Sequence, residues 1–311
     1  MEIRQVGRSG LRVSRLGLGT STWGREVDEL DASDLLRAFR DGGGTLLQTS
    51  PDDGAGAAES VVGALLAGAH AGADLVLASR SSAAAGRSRR GLLRGLDASL
   101  ARLGTGAVDL WLLHGWSDDV PVDEALSAAD AAVSSGRAAY VGLSGTTGWQ
   151  AARAATLQEA LHRTPLVAAE AEWSLVARRA EQELVPASTS LGLGVLAGAP
   201  LGRGVLTGKY RHGIPSDSRA ASSGSGPELE SLLHGRARSV TDAVATAADG
   251  LGTTPLAVSL GWLLARPGLS AGVVGARTPA QLRTSLAAEA APELPPAIVS
   301  ALDDVSAAPR A

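Results

Sequence analysis

Short apolar runs alternate with longer amphipathic stretches along almost the whole chain. The strand-like runs are Leu16–Gly19, Thr45–Gln48, Leu75–Ala78, Val108–Leu112, Ala139–Leu143, Val167–Glu170, Gly194–Ala197 and Gly272–Val274. Between them, apolar residues recur at helical spacing, as in Leu92, Leu93, Leu96, Leu100 and Leu103. Ahead of the first run, residues 2–6 and 11–14 flank Gly7-Arg8-Ser9-Gly10, a pattern that predicts a β-hairpin. A last helical pattern near 295–304 predicts a C-terminal addition. Eight strands alternating with helices over 311 residues predict an α/β fold of the (β/α)8 TIM-barrel class. A doubly wound sheet is the alternative.

The alternation predicts one barrel domain over 1–311 with no second domain. It is interrupted at 199–227, where Gly213–Pro227, rich in Ser, Gly and Ala, predicts a flexible surface loop over 213–227. Composition narrows the classes of function. A formal net charge of −4 argues against nucleic-acid and anionic-membrane partners. No cysteine occurs, which excludes disulfides, thiolate catalysis and Cys-ligated metal. No signal peptide and no apolar run of the roughly 18–20 residues needed to span a bilayer is present. The chain is therefore expected to be soluble and cytoplasmic. One lysine, no asparagine and abundant Ala, Gly and Arg are what a GC-rich genome, as in actinobacteria, produces.

In a barrel of this class, reactive side chains stand at the C-terminal ends of the strands. Those positions here hold Gln48, Asp52 and Asp53, Ser79-Arg80, His114, Ser144, and Glu170 with Glu172. His114 is the strand-end histidine and a candidate for proton transfer; Arg80 and Asp53 have a rim salt bridge as their plainer alternative. Trp23, Trp116 and Trp173, with Trp111, fall near strand ends, either as aromatic walls for an apolar ligand or as core. Gly54-Ala55-Gly56 lacks the third glycine of a dinucleotide fingerprint, which is Glu59 here. Asp53, His114 and Glu170 lack the spacing of a metal site, so no metal is expected.

Several segments resemble the aldo-keto reductase family in the family's own order. They are Val6-Gly7-Arg8-Ser9-Gly10-Leu11 through Leu16-Gly17-Leu18-Gly19-Thr20; Gly136-Arg137 with Val141-Gly142-Leu143-Ser144; Pro200-Leu201-Gly202-Arg203-Gly204-Val205-Leu206-Thr207-Gly208-Lys209-Tyr210; and Val274-Gly275-Ala276-Arg277-Thr278-Pro279-Ala280-Gln281-Leu282. The resemblance implies carbonyl reduction with NADP(H). It would place the pyrophosphate on Leu201, Gly202 and Gly204, the adenosine phosphate on Gly275, Arg277, Thr278 and Gln281, and the nicotinamide near Ser144 and Glu170. The chain departs from the family at its reactive centre. Gln48 stands for the family aspartate, Asp53 for the tyrosine and Arg80 for the lysine; only His114 is kept. Near the nicotinamide, Gly145 replaces an asparagine, Glu170 a glutamine and Gly198 an aromatic, and Ser285 replaces an asparagine in the adenosine segment.

Reduction of a carbonyl needs a proton for the developing alkoxide. An aspartate of ordinary acidity is ionised at neutral pH, and a nearby Arg80 is expected to lower its pKa further. Ordinary carbonyl reduction is thus not expected. Three readings remain open. The first is a repurposed acid–base pocket using Asp53, His114, Arg80 and Gln48 on a small metabolite, with Arg80 anchoring an anion. The second is an NADPH-dependent oxidoreductase with His114 as proton donor. The third is a silent ligand-binding or regulatory protein. Whether the cofactor is retained and what the oligomeric state is are not legible here.

Overall fold

The computed structural model describes residues 1–83, 86–211, 213–215 and 226–307. Strands β1 (Ile3–Gln5) and β2 (Arg12–Ser14) pair antiparallel, with Ile3 opposite Ser14, and form the expected hairpin. Eight parallel strands then close into a barrel: β3 (Leu16–Gly19), β4 (Leu46–Thr49), β5 (Val76–Arg80), β6 (Val108–His114), β7 (Ala138–Ser144), β8 (Leu166–Glu172), β9 (Gly194–Gly198) and β10 (Leu269–Gly275). They follow chain order around the ring, and β10 pairs with both β9 and β3. The fold is the (β/α)8 barrel that the alternation predicts.

Helices α1 (Glu29–Asp41), α2 (Ala57–Ala67), α3 (Arg89–Leu103), α4 (Val122–Ser134), α5 (Gly148–Ala160) and α6 (Leu184–Leu191) follow the strands. Next come α7 (Gly226–Leu232), α8 (Gly235–Leu251), α9 (Pro255–Leu264), α10 (Pro279–Glu289) and the additional α11 (Pro296–Ser306). Local sequence explains their limits. Ser88 caps α3 by accepting from Gly91 N at 3.1 Å, and Leu92, Leu96, Leu100 and Leu103 bury one face of it. Of the loop expected over 213–227, residues 216–225 lie outside the described residues and 226–227 already belong to α7.

Two apolar clusters result. The larger fills the layer between strands and helices and includes Trp23, Phe39, Trp111, Trp173 and Trp262. The smaller occupies the lumen, where Leu46, Ala78, Leu110, Leu112, Ala168, Leu196 and Ala271 meet Val6, Leu11 and Val13 of the hairpin segment. The hairpin thus closes the N-terminal end of the barrel, and ligand access is left to the opposite end. No helix among the described residues is long and apolar enough to cross a membrane.

Candidate active site

Strand periodicity assembles the site. Side chains alternate between the two faces of a strand, so a residue two beyond a lumen residue also faces the lumen. Leu46 leads to Gln48, Ala78 to Arg80, Leu112 to His114 and Ala168 to Glu170, all at the C-terminal end. Register aligns His114 with Ser144 and Ser144 with Glu170. Asp53 joins them from the 3₁₀ turn Asp53–Gly56 that follows β4. All six line one cavity of about 1780 Å³.

The hydrogen bonds there are specific. Gln48 Nε2 donates to Glu170 Oε1 at 2.6 Å, and Arg80 Nη1 lies 4.0 Å from the same oxygen. His114 Nδ1 is 3.0 Å from Ser144 Oγ, and Nε2 has no protein partner among the described residues. Three buried polar atoms of this group have no hydrogen-bond partner among the described residues: Gln48 Oε1, Glu170 Oε2 and Arg80 Nε. Gln48, on the second barrel strand, and Glu170, on the sixth, are thus joined by a hydrogen bond, and the carboxylate that faces Arg80 comes from the sixth.

Three expectations need correction. First, the Asp53 carboxyl is not made more acidic: its pKa rises from 3.8 to about 6. Burial opposes the charged form more strongly than Arg80 favours it, and the charges of Asp52, Glu59 and Glu170 add to the rise. Second, the ion pair of Arg80 is with Glu170 and not with Asp53. Its charge therefore has an internal partner, which weakens its value as an anchor for an anionic ligand. Third, none of the three tryptophans lines the cavity. Trp23 and Trp173 are fully buried core residues, and Trp173 Nε1 donates to Glu181 Oε1 at 2.8 Å. Trp116 packs edge-on against Trp149, with ring centroids 5.5 Å apart. Large side chains beside a strand end gain more from the strand–helix layer than from a solvated rim.

His114 is harder to protonate than a free imidazole, chiefly through burial and next through Arg80. It is a neutral ring at neutral pH, suited to hydrogen bonding rather than to donating a proton as imidazolium.

The outer half of the cavity is lined by Leu201, Arg203, Gly204, Lys209, Gly275, Arg277, Gln281 and Ser285. Gly202, Arg203 and Gly204 all have positive φ (55°, 56° and 100°), and a Cβ on Gly202 would lie 2.5 Å from Val176 Cγ2. The amides of Gly202 and Gly204 are already used, donating to Ala199 O at 2.8 Å and Leu201 O at 2.9 Å, and Gly202 does not line the cavity, so the anion-binding capacity here comes from the Arg203 and Lys209 side chains beside the turn. Thr278 does not line the cavity; its side chain caps α10 by accepting from Gln281 N at 3.3 Å. Gln281 Oε1 accepts from Arg277 N at 2.9 Å, fixing the loop before that helix. This donor set fits the phosphates of a dinucleotide. The inner end fits a nicotinamide less fully, because Glu170 can only accept from its carboxamide and Gly145 offers no side chain.

Sequence reading overlooked Glu26, from the loop after β3, which pairs with Arg277 at 2.9 Å across the outer cavity. Its place in a βα loop was the available signal. Glu172, noted only as a strand-end acid, pairs with Arg203.

Residues 15–307 match the family model described as the Aldo/keto reductase family. The chain is 33% identical over 304 residues to an uncharacterized oxidoreductase, YrpG, of Bacillus subtilis (strain 168), covering 93% of this chain and 91% of the relative. It is 30% identical to probable voltage-gated potassium channel β subunits of Arabidopsis thaliana and of Oryza sativa subsp. japonica, covering 98% of this chain and 96% of each. Barrel, strand-end layer and similarity agree, and the chain belongs to the aldo/keto reductase family, whose members generally use NAD(P)H.

Proposed function

We propose that this chain is a nicotinamide-nucleotide-dependent oxidoreductase acting on a small metabolite, with Asp53 as the proton-transfer group in place of the family tyrosine. The observation that carries this reading is the continuity of one cavity. It runs from Asp53, Arg80, His114 and Glu170 at the barrel end to Arg203, Gly204, Lys209 and Arg277. A cavity of about 1780 Å³ has room for a dinucleotide and a small substrate together. The oxidoreductase relative is consistent with it.

A bound dihydronicotinamide supplies a hydride; the chain's own residues do the rest. Arg203 and Lys209 would hold the pyrophosphate, and Arg277 would pair with a ribose phosphate. Neutral His114, oriented by Ser144, hydrogen-bonds the reacting group through Nε2. Asp53 holds a proton near neutrality because its carboxyl titrates at about 6. This assigns the proton to Asp53 rather than His114. The same Asp53 would serve an acid–base reaction without hydride transfer, the competing reading.

Calorimetric titration with NADPH and NADH separates the two. Micromolar NADPH binding, weakened about tenfold in Arg277→Ala, is expected. No binding at millimolar nucleotide removes the oxidoreductase reading and leaves acid–base chemistry or a silent scaffold.

A further inference from the structure

Both arginines at the outer end of the cavity already face a carboxylate across it. Arg277, just after β10, donates through Nη1 to Glu26 Oε2 at 2.9 Å, and Arg203, just after β9, pairs with Glu172 at the end of β8. All four residues line the cavity. The Glu26 pair is a built contact, because the backbone on each side of it is held. Residues 22–27 form a tight turn in which Glu26 N and Val27 N both donate to Thr22 O, at 3.0 and 3.1 Å, and Gly24 N donates to Val27 O at 2.8 Å. Trp23 and Val27 anchor that turn in the core, where both are fully buried. On the other side, Arg277 N donates to Gln281 Oε1 at 2.9 Å. The paired side chains of Arg277 and Glu26 are 24% and 33% exposed, so the contact is partly shielded from water.

We infer that Glu26 sets the choice between the two nicotinamide dinucleotides, by acting against the 2′-phosphate that distinguishes NADP(H) from NAD(H). This rests on the oxidoreductase reading above, in which Arg277 takes the ribose phosphate. Arg277 can pair with a 2′-phosphate only by giving up Glu26 or by holding both anions on one guanidinium. Either way the carboxylate and the phosphate repel each other, and a repulsive element of this kind is what turns affinity into specificity. A ribose that carries a hydroxyl there meets no such repulsion, and a carboxylate beside it accepts its hydrogen bond. Pairs with this much exposure are weak, so Glu26 lowers the preference for the phosphorylated nucleotide without excluding it. Glu172 acts differently. Its arginine stands beside the pyrophosphate, which both nucleotides carry, so its charge bears on both alike.

The test titrates NADPH and NADH by calorimetry into the wild-type protein, Glu26→Gln and Glu172→Gln, with the folding of both variants checked by melting curves. The readout is the ratio of the Kd for NADH to the Kd for NADPH. Glu26→Gln is expected to raise that ratio about fivefold or more, chiefly by tightening NADPH. Glu172→Gln removes the same charge and is expected to tighten both nucleotides while moving the ratio less than about twofold. Adenosine 2′,5′-bisphosphate against 5′-AMP repeats the comparison on the adenosine end alone and should give the same change in ratio. A ratio unchanged in Glu26→Gln, or raised equally by Glu172→Gln, overturns the inference and leaves the oxidoreductase reading standing. Failure of both dinucleotides to bind the wild-type protein at millimolar concentration overturns that reading, and this inference with it.

Discussion

Replacing Asp53 with asparagine is expected to stabilise the protein at neutral pH and not at pH 4. Its pKa rises from 3.8 to about 6 on folding, because burial disfavours the carboxylate. The folded state therefore keeps a proton that the unfolded chain has already released between those values. The associated stability is fully present below pH 3.8 and is lost as pH climbs through about 6. At 1.36 kcal/mol per unit the shift corresponds to about 3 kcal/mol, an upper value because the substituted amide keeps some desolvation cost. Unfolding entropies of about 2.1 cal/mol/K per residue convert that into a Tm gain of roughly 2–5 °C for a chain of this length. Melting curves of both proteins from pH 4 to 8 measure it. The gap should open between pH 4 and 6 and then stay level. A gap that is constant across this range, or that narrows with rising pH, refutes the placement of Asp53 in a desolvated site.

His114 is expected to titrate below the ordinary histidine value and to be neutral at pH 7, with Arg80→Met raising its pKa; ring ¹⁵N shifts read both. Because folding favours the neutral ring, its contribution to stability falls as pH drops below 6.5. Arg102→Ala leaves the fully buried Glu59 carboxylate without its partner at 2.6 Å and is expected to cost about 3–5 kcal/mol in urea unfolding. Adding Glu59→Gln should recover part of that loss, and no recovery would contradict the ion-pair explanation. Asp303→Ala removes the acceptor for Trp262 Nε1 at 3.0 Å and for Arg266 and Arg178, and is expected to cost about 1–3 kcal/mol. Hydrogen exchange should quicken first in α11, which those contacts hold against α9.

The barrel was legible because its signals are local. Leu92, Leu96, Leu100 and Leu103 mark one buried helix face, and the run from Val108 to Leu112 ends just before His114. Strand ends were placed within two residues at most positions, though β10 starts at Leu269, three residues before the predicted run. Gln48, Arg80, His114 and Glu170 were legible as residues lining the barrel mouth because period-2 alternation and strand ends dictate where they point. The fate of the tryptophans was not legible. Proximity to a strand end does not say which face a residue takes after the strand stops, and Trp23 and Trp173 turned inward.

By itself the sequence determined the order of elements, the parallel closure and the set of side chains at the barrel mouth, since strand periodicity and turn chemistry act over a few residues. It also put Asp53, Arg80 and Gln48 at or beside strand ends, where the structure has them line the cavity. Only the tertiary structure decided what those residues do to one another. Glu170 lies 122 positions from Gln48, yet the two share a hydrogen bond, and Arg80 faces Glu170 rather than Asp53. The acidity of Asp53 reversed its expected direction for the same reason. A pKa depends on the balance of burial against neighbouring charge, and both are fixed only when distant strands close into a ring.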